Sequence, residues 1–248
     1  MVKSKRREQL IASIIAHAKS LGVAIVMVLI IRSSVVEAFK IPSGSMIPTL
    51  MVGDQIFVNK FAYGLKFPLW DWFADHPLYV IPGKPPARGD VIVFKYPKDE
   101  SIHYIKRVVG VAGDRISLKD KTVYVNGSPL ARMLVSKPEV VESVEGSDYD
   151  KTSLQLFDEA IPGTTDKHLV MLDRSNDQIA NFQEITVPPD SLFVMGDNRD
   201  FSNDSRFWGF VPLKNIDGKA MVVWFCLRVD FESSQYYFHP SRMGTIIR

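Results

Sequence analysis

The sequence predicts a mainly β protein: an N-terminal transmembrane helix, then an antiparallel β-rich domain with a smaller β subdomain inserted in it. Three observations predict this. Residues 1–40 hold a basic cluster followed by an apolar run. After residue 41, short stretches rich in Val, Ile, Phe and Tyr are separated by Gly-Asp, Asn-Gly and proline punctuation, the pattern of strands closed by tight turns. No long 3.6-residue periodicity follows residue 41, which leaves an antiparallel β architecture as the consistent choice. With 248 residues, 46% hydrophobic and 23% charged, the composition excludes a disordered or collagen-like chain and suits one or two domains with real cores.

The helix comes first. Lys3, Lys5, Arg6 and Arg7 precede an apolar stretch from Leu10 to Ile31, interrupted by His17 and Lys19. Its 22 residues at ~1.5 Å each give ~33 Å, enough for a hydrocarbon core of ~30 Å, and Lys19 lies near enough to one end to snorkel. Basic residues cluster before the span, whereas Arg32 and Lys40 after it are offset by Glu37. The positive-inside rule therefore puts the N-terminus in the cytoplasm and everything after residue 40 outside: a single-pass protein of the cytoplasmic (inner) membrane. Two other readings stay open from the segment alone. One is a cleavable signal peptide, with Val36-Glu37-Ala38 as its cleavage site. The other is a buried helix, which the all-round apolar surface of Leu21 to Ile31 disfavours.

Charge supports the division. The 30 basic and 28 acidic residues give +2 overall, but residues 1–40 carry seven basic and two acidic side chains, net +5, and the remainder is net −3. The basic excess is local, which excludes a nucleic-acid-binding surface spread over the body. Cys226 is the only cysteine, and the five histidines show no metal-ligand spacing. Neither a disulfide, a zinc site nor any other cofactor is expected.

The strands follow in order: Gln55 to Asn59, Asp90 to Lys95, His103 to Val111, Arg115 to Leu118, Thr122 to Val125, Ser191 to Met195 and Ala220 to Leu227. Lys119-Asp120-Lys121 and Asn126-Gly127 read as hairpin turns. Residues 135–188 differ, with Glu139, Glu142, Glu145, Asp148, Asp150, Asp158 and Glu159 in a polar stretch with few strand signals, read as a solvated face. The expected organisation is a basic tail (1–9), an anchor region (10–36), a main β domain (37–112 with 189–248) and an inserted β/loop subdomain (113–188). Phe61, Tyr63, Phe67, Trp70, Trp72, Phe73 and Tyr79 form an aromatic segment that either packs on the sheet or meets the lipid interface.

Three stretches carry chemistry. FKIPSGSMIPTL (39–50) sets Ser43 and Ser45 on a proline-bounded piece just beyond the helix. It contains neither a G-x-S-x-G elbow nor S-x-x-K, so an activating group must come from elsewhere. Lys106, in HYIKRVVG (103–110), is the candidate. Strand alternation puts it on an apolar face with Tyr104 and Val108, and a desolvated lysine with a lowered pKa is a competent general base; a lysine leaning out to solvent is the ordinary alternative. The third stretch, GDNRDFSNDSRFWG (196–209), packs acids, amides and arginines densely enough for a hydrogen-bonded, ion-paired loop that fixes Ser202 or Ser205, or equally for a calcium-binding or structural loop.

Together these boxes resemble the bacterial type I signal peptidases, membrane-anchored Ser/Lys serine proteases that remove signal peptides from exported preproteins. IPSGSMIPTL with Gly53-Asp54, the strand Gly89 to Phe94, YIKRVVG continuing to Gly113-Asp114, and GDNRDFSNDSRFWG stand in the family's order behind the anchor, spanning most of residues 20–212. The resemblance implies Ser45 as nucleophile and Lys106 as general base. It also implies an oxyanion hole from the Ser43 hydroxyl and the Ser45 N–H, Ser202 as orienter of the lysine, and Asp204 with Arg206 as a supporting ion pair. Shallow pockets for small residues at the −1 and −3 positions of the preprotein would be walled by Phe39, Ile41, Pro42, Met46, Leu50, Tyr104 and Ile105, and the bilayer would be a partner. Phe201 and Asn203 depart from residues usually polar and small in that box. The architecture so implied retains the helix rather than cleaving it. Alternatives are a Ser/Lys self-cleaving protease, which would carry a DNA-binding module where the anchor stands, and a non-catalytic membrane-tethered β-domain binding an exported partner.

Overall fold

A computed structural model describes the backbone of residues 2–67, 70, 77–144, 149–161, 163–164, 166–176, 178–230 and 235–248; within these, the side chains of 2–10, 12, 30–34, 229, 230, 235 and 237 lie outside the description. The helices are α1 (Val2–Ser34), α2 (Pro138–Glu142) and α3 (Ser205–Trp208). In chain order the strands are β1 (Val36–Lys40), β2 (Asp54–Asn59), β3 (Gly64–Lys66), β4 (Tyr79–Pro82), β5 (Val91–Tyr96), β6 (Asp99–Gly110), β7 (Arg115–Lys119), β8 (Thr122–Val125) and β9 (Ser128–Pro129). They continue with β10 (Arg132–Val135), β11 (Leu154–Ala160), β12 (Lys167–Asp173), β13 (Phe182–Thr186), β14 (Ser191–Met195), β15 (Val211–Pro212), β16 (Ile216–Asp230) and β17 (Gln235–Phe238).

The main sheet runs β1-β2-β16-β5-β6-β14-β15, with β17 paired to β16. Among the described residues every strand pairing is antiparallel, as the alternating sequence pattern requires. Strand β16 crosses the sheet and pairs with β2, β5 and β17. The core gathers on its faces: Ile41, Met46, Leu50, Ile56, Val58, Val93, Ile105 and Val223 in one cluster, Ile92, Phe94, Val108, Val194 and Trp208 in another. Strand β6 supplies buried residues to both faces, since Ile105 and Val108 fall into different clusters.

The chain leaves the main sheet after β6 and returns at β14, which pairs directly with β6. The excursion makes two further sheets, β13-β7-β8-β9 and β10-β11-β12. Both expected turns are two-residue hairpins with φ positive at each position, Asp120 (46°) with Lys121 (59°) and Asn126 (54°) with Gly127 (79°). That backbone matches the right-handed strand twist. The polar stretch 135–188 is richer in strands than expected, holding β11, β12 and β13. Its strands bury Leu154, Leu156 and Met171 against Ile47 of the serine segment. Glu159 is also corrected: it is 1% exposed and belongs to no solvated face.

Helix α1 is 33 residues long, and its described side chains from Ser13 to Val28 are exposed. Among the described residues no helix is long and apolar enough to cross a membrane. Of the expected span, the side chains of Leu10, Ala12, Ile30 and Ile31 lie outside the description. In the aromatic segment Tyr63 donates to Asp90 (3.0 Å) and packs on the core, whereas Phe61 and Phe67 are exposed; Trp72 and Phe73 lie outside the described residues.

Phe94 has no exposed surface and meets Tyr104 edge-on and Trp208 at a tilt. Truncation leaves a cavity where β5 supports β6, so Phe94→Ala is expected to lose about 3–5 kcal/mol of stability in urea denaturation.

Candidate active site

The serine segment is held at both ends. Ile41 N–H donates to Asp54 O (2.8 Å) and Gly53 N–H to Ile41 O (2.9 Å), pinning the segment beside β2. Ser43 is extended (φ −133°, ψ 158°), and Gly44–Met46 then make one 3₁₀ turn closed by Ile47 N–H on Gly44 O (3.1 Å). Met46 and Leu50 have no exposed surface and drive the turn into the core. Ser45, between them and the surface, is 9% exposed. As an early residue of the turn its N–H has no partner within it, and it makes no other hydrogen bond among the described residues.

Lys106 meets this turn from β6. Its Nζ is 2.6 Å from Ser45 Oγ and 3.0 Å from Ile105 O, and lies over the Tyr104 ring at 5.4 Å. The residue is 4% exposed, so the alternative of a lysine leaning into solvent does not hold. Burial pushes its pKa down to about 8; the Asp204 and Asp197 carboxylates pull it back up and Arg206 pushes it further down. A fall from 10.5 to about 8 corresponds to about 3 kcal/mol favouring the neutral amine.

The GDNRDFSNDSRFWG loop lies behind the pair as a network of buried ions. Arg107, next to the lysine, grips Asp197 through two hydrogen bonds (2.8 and 2.7 Å) and donates to Gly89 O (2.8 Å) and Arg248 O (2.6 Å). Burial pushes the Asp197 carboxyl up, but Arg107 and the Thr49 hydroxyl (2.5 Å) outweigh it and hold the acid below the ordinary carboxylate range. Arg199 makes a forked pair with Glu159 and donates to Gly196 O (3.2 Å). His168 sits 3.6 Å from Glu159 and 3.9 Å from Asp197. Burial, then Arg107 and Arg199, push it down to about 3, so it is neutral at physiological pH. Asp204 receives Arg206 (2.8 Å at each oxygen) and the Gly196 N–H (3.0 Å), and these outweigh its burial to keep it ionised.

Asn198 turns the loop toward the serine. Its N–H donates to Ser45 O (3.2 Å) and its Nδ2 to Gly44 O (3.0 Å). Gly196 fills a place where a Cβ would come within 2.3 Å of both Ser202 Oγ and Ser45 O.

Of the expected site residues, the structure brings Ser45 and Lys106 into contact and pairs Asp204 with Arg206. Ser43 is exposed beside the turn. Ser202 is buried and lies close enough to Asp204 to favour its ionised form, and its Oγ completes no well-formed hydrogen bond among the described residues. Phe39 and Tyr104 are half-buried, Pro42 is exposed, and Ile105 is barely buried. Met46 and Leu50, with no exposed surface, and Ile41, at 2%, are corrected: they are core residues and present no wall to a substrate. Sequence reasoning missed Asn198, Glu159 and His168 as parts of the site. The density of the 196–209 box was a signal for Asn198, but Glu159 and His168 gave none.

A buried hydroxyl in contact with a buried amine of lowered pKa is the arrangement a serine nucleophile activated by lysine requires, and it places the protein among candidate serine hydrolases. The family model described as signal peptidase, peptidase S26, matches residues 14–225, and the chain belongs to that family. Signal peptidase I of Pseudomonas aeruginosa is 43% identical over 223 residues, covering 85% of this chain and 72% of that protein. Signal peptidase I of Rickettsia typhi is 36% identical over 213 residues, covering 83% and 78%. A solved signal peptidase I structure from Enterococcus faecalis is 26% identical and covers 55% of this chain and 97% of its own, with a TM-score of 0.32, too low to bear on the fold.

Two expectations follow from these buried charges. Folded Lys106 keeps its proton only below pH about 8, whereas the unfolded residue keeps it to 10.5, so between these values the folded state binds fewer protons and stability rises with pH. Lys106→Met should therefore melt higher than wild type below pH 8, by up to about 3 kcal/mol, with the advantage fading toward pH 10.5. Arg107→Met alone strands the buried Asp197 and should cost about 3–5 kcal/mol in urea denaturation, more than the double variant Arg107→Met/Asp197→Leu.

Proposed function

We propose that the protein is a membrane-anchored serine endopeptidase that removes N-terminal signal peptides from exported preproteins, with Ser45 as nucleophile and Lys106 as general base. The observation that carries the reading is the 2.6 Å contact between Lys106 Nζ and Ser45 Oγ at a buried amine. With a pKa of about 8, about one lysine in ten is neutral at pH 7, ample for a base once substrate is bound. Neutral Lys106 takes the hydroxyl proton as Oγ bonds to the scissile carbonyl carbon. The carbonyl electron pair moves onto oxygen, held by the Ser45 N–H and the Ser43 hydroxyl, a donor of this type contributing roughly 3–4 kcal/mol. Collapse breaks the C–N bond, and the lysine proton goes to the leaving amine. Water, deprotonated by the same lysine, then cleaves the acyl ester and frees Ser45.

The preprotein enters as an extended segment beside β1, the edge of the main sheet, so that backbone hydrogen bonds supply affinity and shallow pockets select small residues at −1 and −3. Phe39, Pro42, Tyr104 and Ile105 supply the accessible walls. Ser202, buried in the loop beside Asp204, orients Lys106 in this reading. Helix α1 is the anchor, its N-terminus cytoplasmic and the β domain on the exported side, which the exposed Leu21, Val23, Ile25, Val26, Met27 and Val28 support.

Incubation of the full chain in detergent with a signal-bearing precursor tests this. Wild type is expected to cut it, and Ser45→Ala and Lys106→Met to lose cleavage while remaining folded. The wild-type rate should rise with pH through about 8, because only the neutral amine accepts the proton. Turnover by either variant at the wild-type rate, or a precursor bound and never cut, overturns the reading.

A further inference from the structure

The 3₁₀ turn that carries Ser45 is only Gly44–Met46, too short to hold its own geometry by internal bonding. The direction of Ser45 Oγ depends on whatever grips the backbone of that turn. Two of its carbonyls, Gly44 O and Ser45 O, are gripped by Asn198. The clamp is itself incompletely fixed: Asn198 Oδ1 is buried with no partner among the described residues. The carboxamide is oriented by its two N–H bonds alone, one to Gly44 O and the other to Tyr149 Oη at 3.3 Å.

Tyr149 comes from the polar excursion, 105 residues beyond Gly44 in sequence. Its ring packs at a tilt of 59° against Phe201 (centroids 4.7 Å apart), within the same loop as Asn198. Its hydroxyl also abuts the turn directly, because a Cβ on Gly44 would come 2.5 Å from Tyr149 Oη. The absence of a side chain at 44 and the hydroxyl at 149 therefore fill one space between them.

We propose that Tyr149 is a positioning residue for cleavage: its hydroxyl orients the Asn198 carboxamide and walls the Gly44 side of the turn, and so aims Ser45 Oγ at the scissile carbonyl. The inference rests on Ser45 being the nucleophile. Small displacements of a reacting atom carry large rate penalties, and the loss of one neutral hydrogen bond at this remove corresponds to a rate effect of roughly three- to ten-fold.

The test is steady-state cleavage of a signal-bearing precursor by the full chain, with wild type and Ser45→Ala in the same series. Tyr149→Phe keeps the packed ring and removes only the hydroxyl. It is expected to lower kcat roughly three- to ten-fold with KM, the melting midpoint and the rise in rate near pH 8 unchanged, since substrate contacts and Lys106 are untouched. Gly44→Ala is expected to lose more, because its Cβ would come 2.5 Å from the hydroxyl and 2.9 Å from Ile47 Cδ1, and Gly44→Ala/Tyr149→Phe to recover part of that loss, the Ile47 contact remaining. No cutting by wild type strikes at the functional reading itself. Cutting by wild type and not by Ser45→Ala, with wild-type kcat in Tyr149→Phe or with no recovery in the double variant, overturns the role of Tyr149 alone. A loss in Tyr149→Phe that merely tracks a lower folded fraction also overturns it.

Discussion

The contact between a desolvated lysine amine and a serine hydroxyl is the constraint around which the rest of this molecule is arranged. Lys106 is 4% exposed, and an ammonium in such a place is costly unless ionic partners surround it closely. Here the nearest carboxylates, those of Asp204 and Asp197, are already committed to Arg206 and Arg107. They raise the lysine pKa, but less than burial lowers it. The amine is left poised near neutrality, and its nearest hydrogen-bond partner is the hydroxyl of Ser45. A free carboxylate against the amine would have fixed the charge and removed the base.

The ion network accordingly has two duties. It gives the loop 196–209 a fixed shape in a dry interior, because each buried arginine is forked onto one carboxylate: Arg107 on Asp197, Arg199 on Glu159, Arg206 on Asp204. It also withholds those carboxylates from Lys106. The same loop presents Asn198 to the serine turn and Gly196 to the narrow space between Ser202 and the Ser45 carbonyl. Arg107 and Lys106 are neighbours on β6, so alternation sends one into the network and the other toward the hydroxyl. One strand thereby sets the amine against the Ser45 hydroxyl and ties it to the ion network.

Much of the fold was legible because its signals are local. The strands β2, β5, β6, β7, β8 and β14 announce themselves by short β-branched runs with Gly-Asp and Asn-Gly boundaries, and the two-residue turns at 120–121 and 126–127 by their residue types. The strands β11 and β12 did not: β12 is the apolar run Leu169 to Leu172 inside a stretch read as polar, and in β11 Glu159 reads like its exposed neighbours until Arg199 is placed beside it. Met46 and Leu50 illustrate the same limit within the site. The family resemblance implies a pocket wall for them, yet the turn directs them into the core.

The sequence by itself determined the β class and the local charge asymmetry, which follow from periodicity, punctuation and residue counts, and its motif order singled out Ser45 and Lys106 through the family resemblance. Only the tertiary structure decided that the two side chains touch, that Asn198 grips the serine turn, and that Glu159 and His168 stand in the ion network behind it. The reason is physical. A lowered lysine pKa and an aimed hydroxyl are properties of burial and of hydrogen bonds between segments 61 to 154 residues apart, and no local pattern encodes which distant groups exclude water from one another.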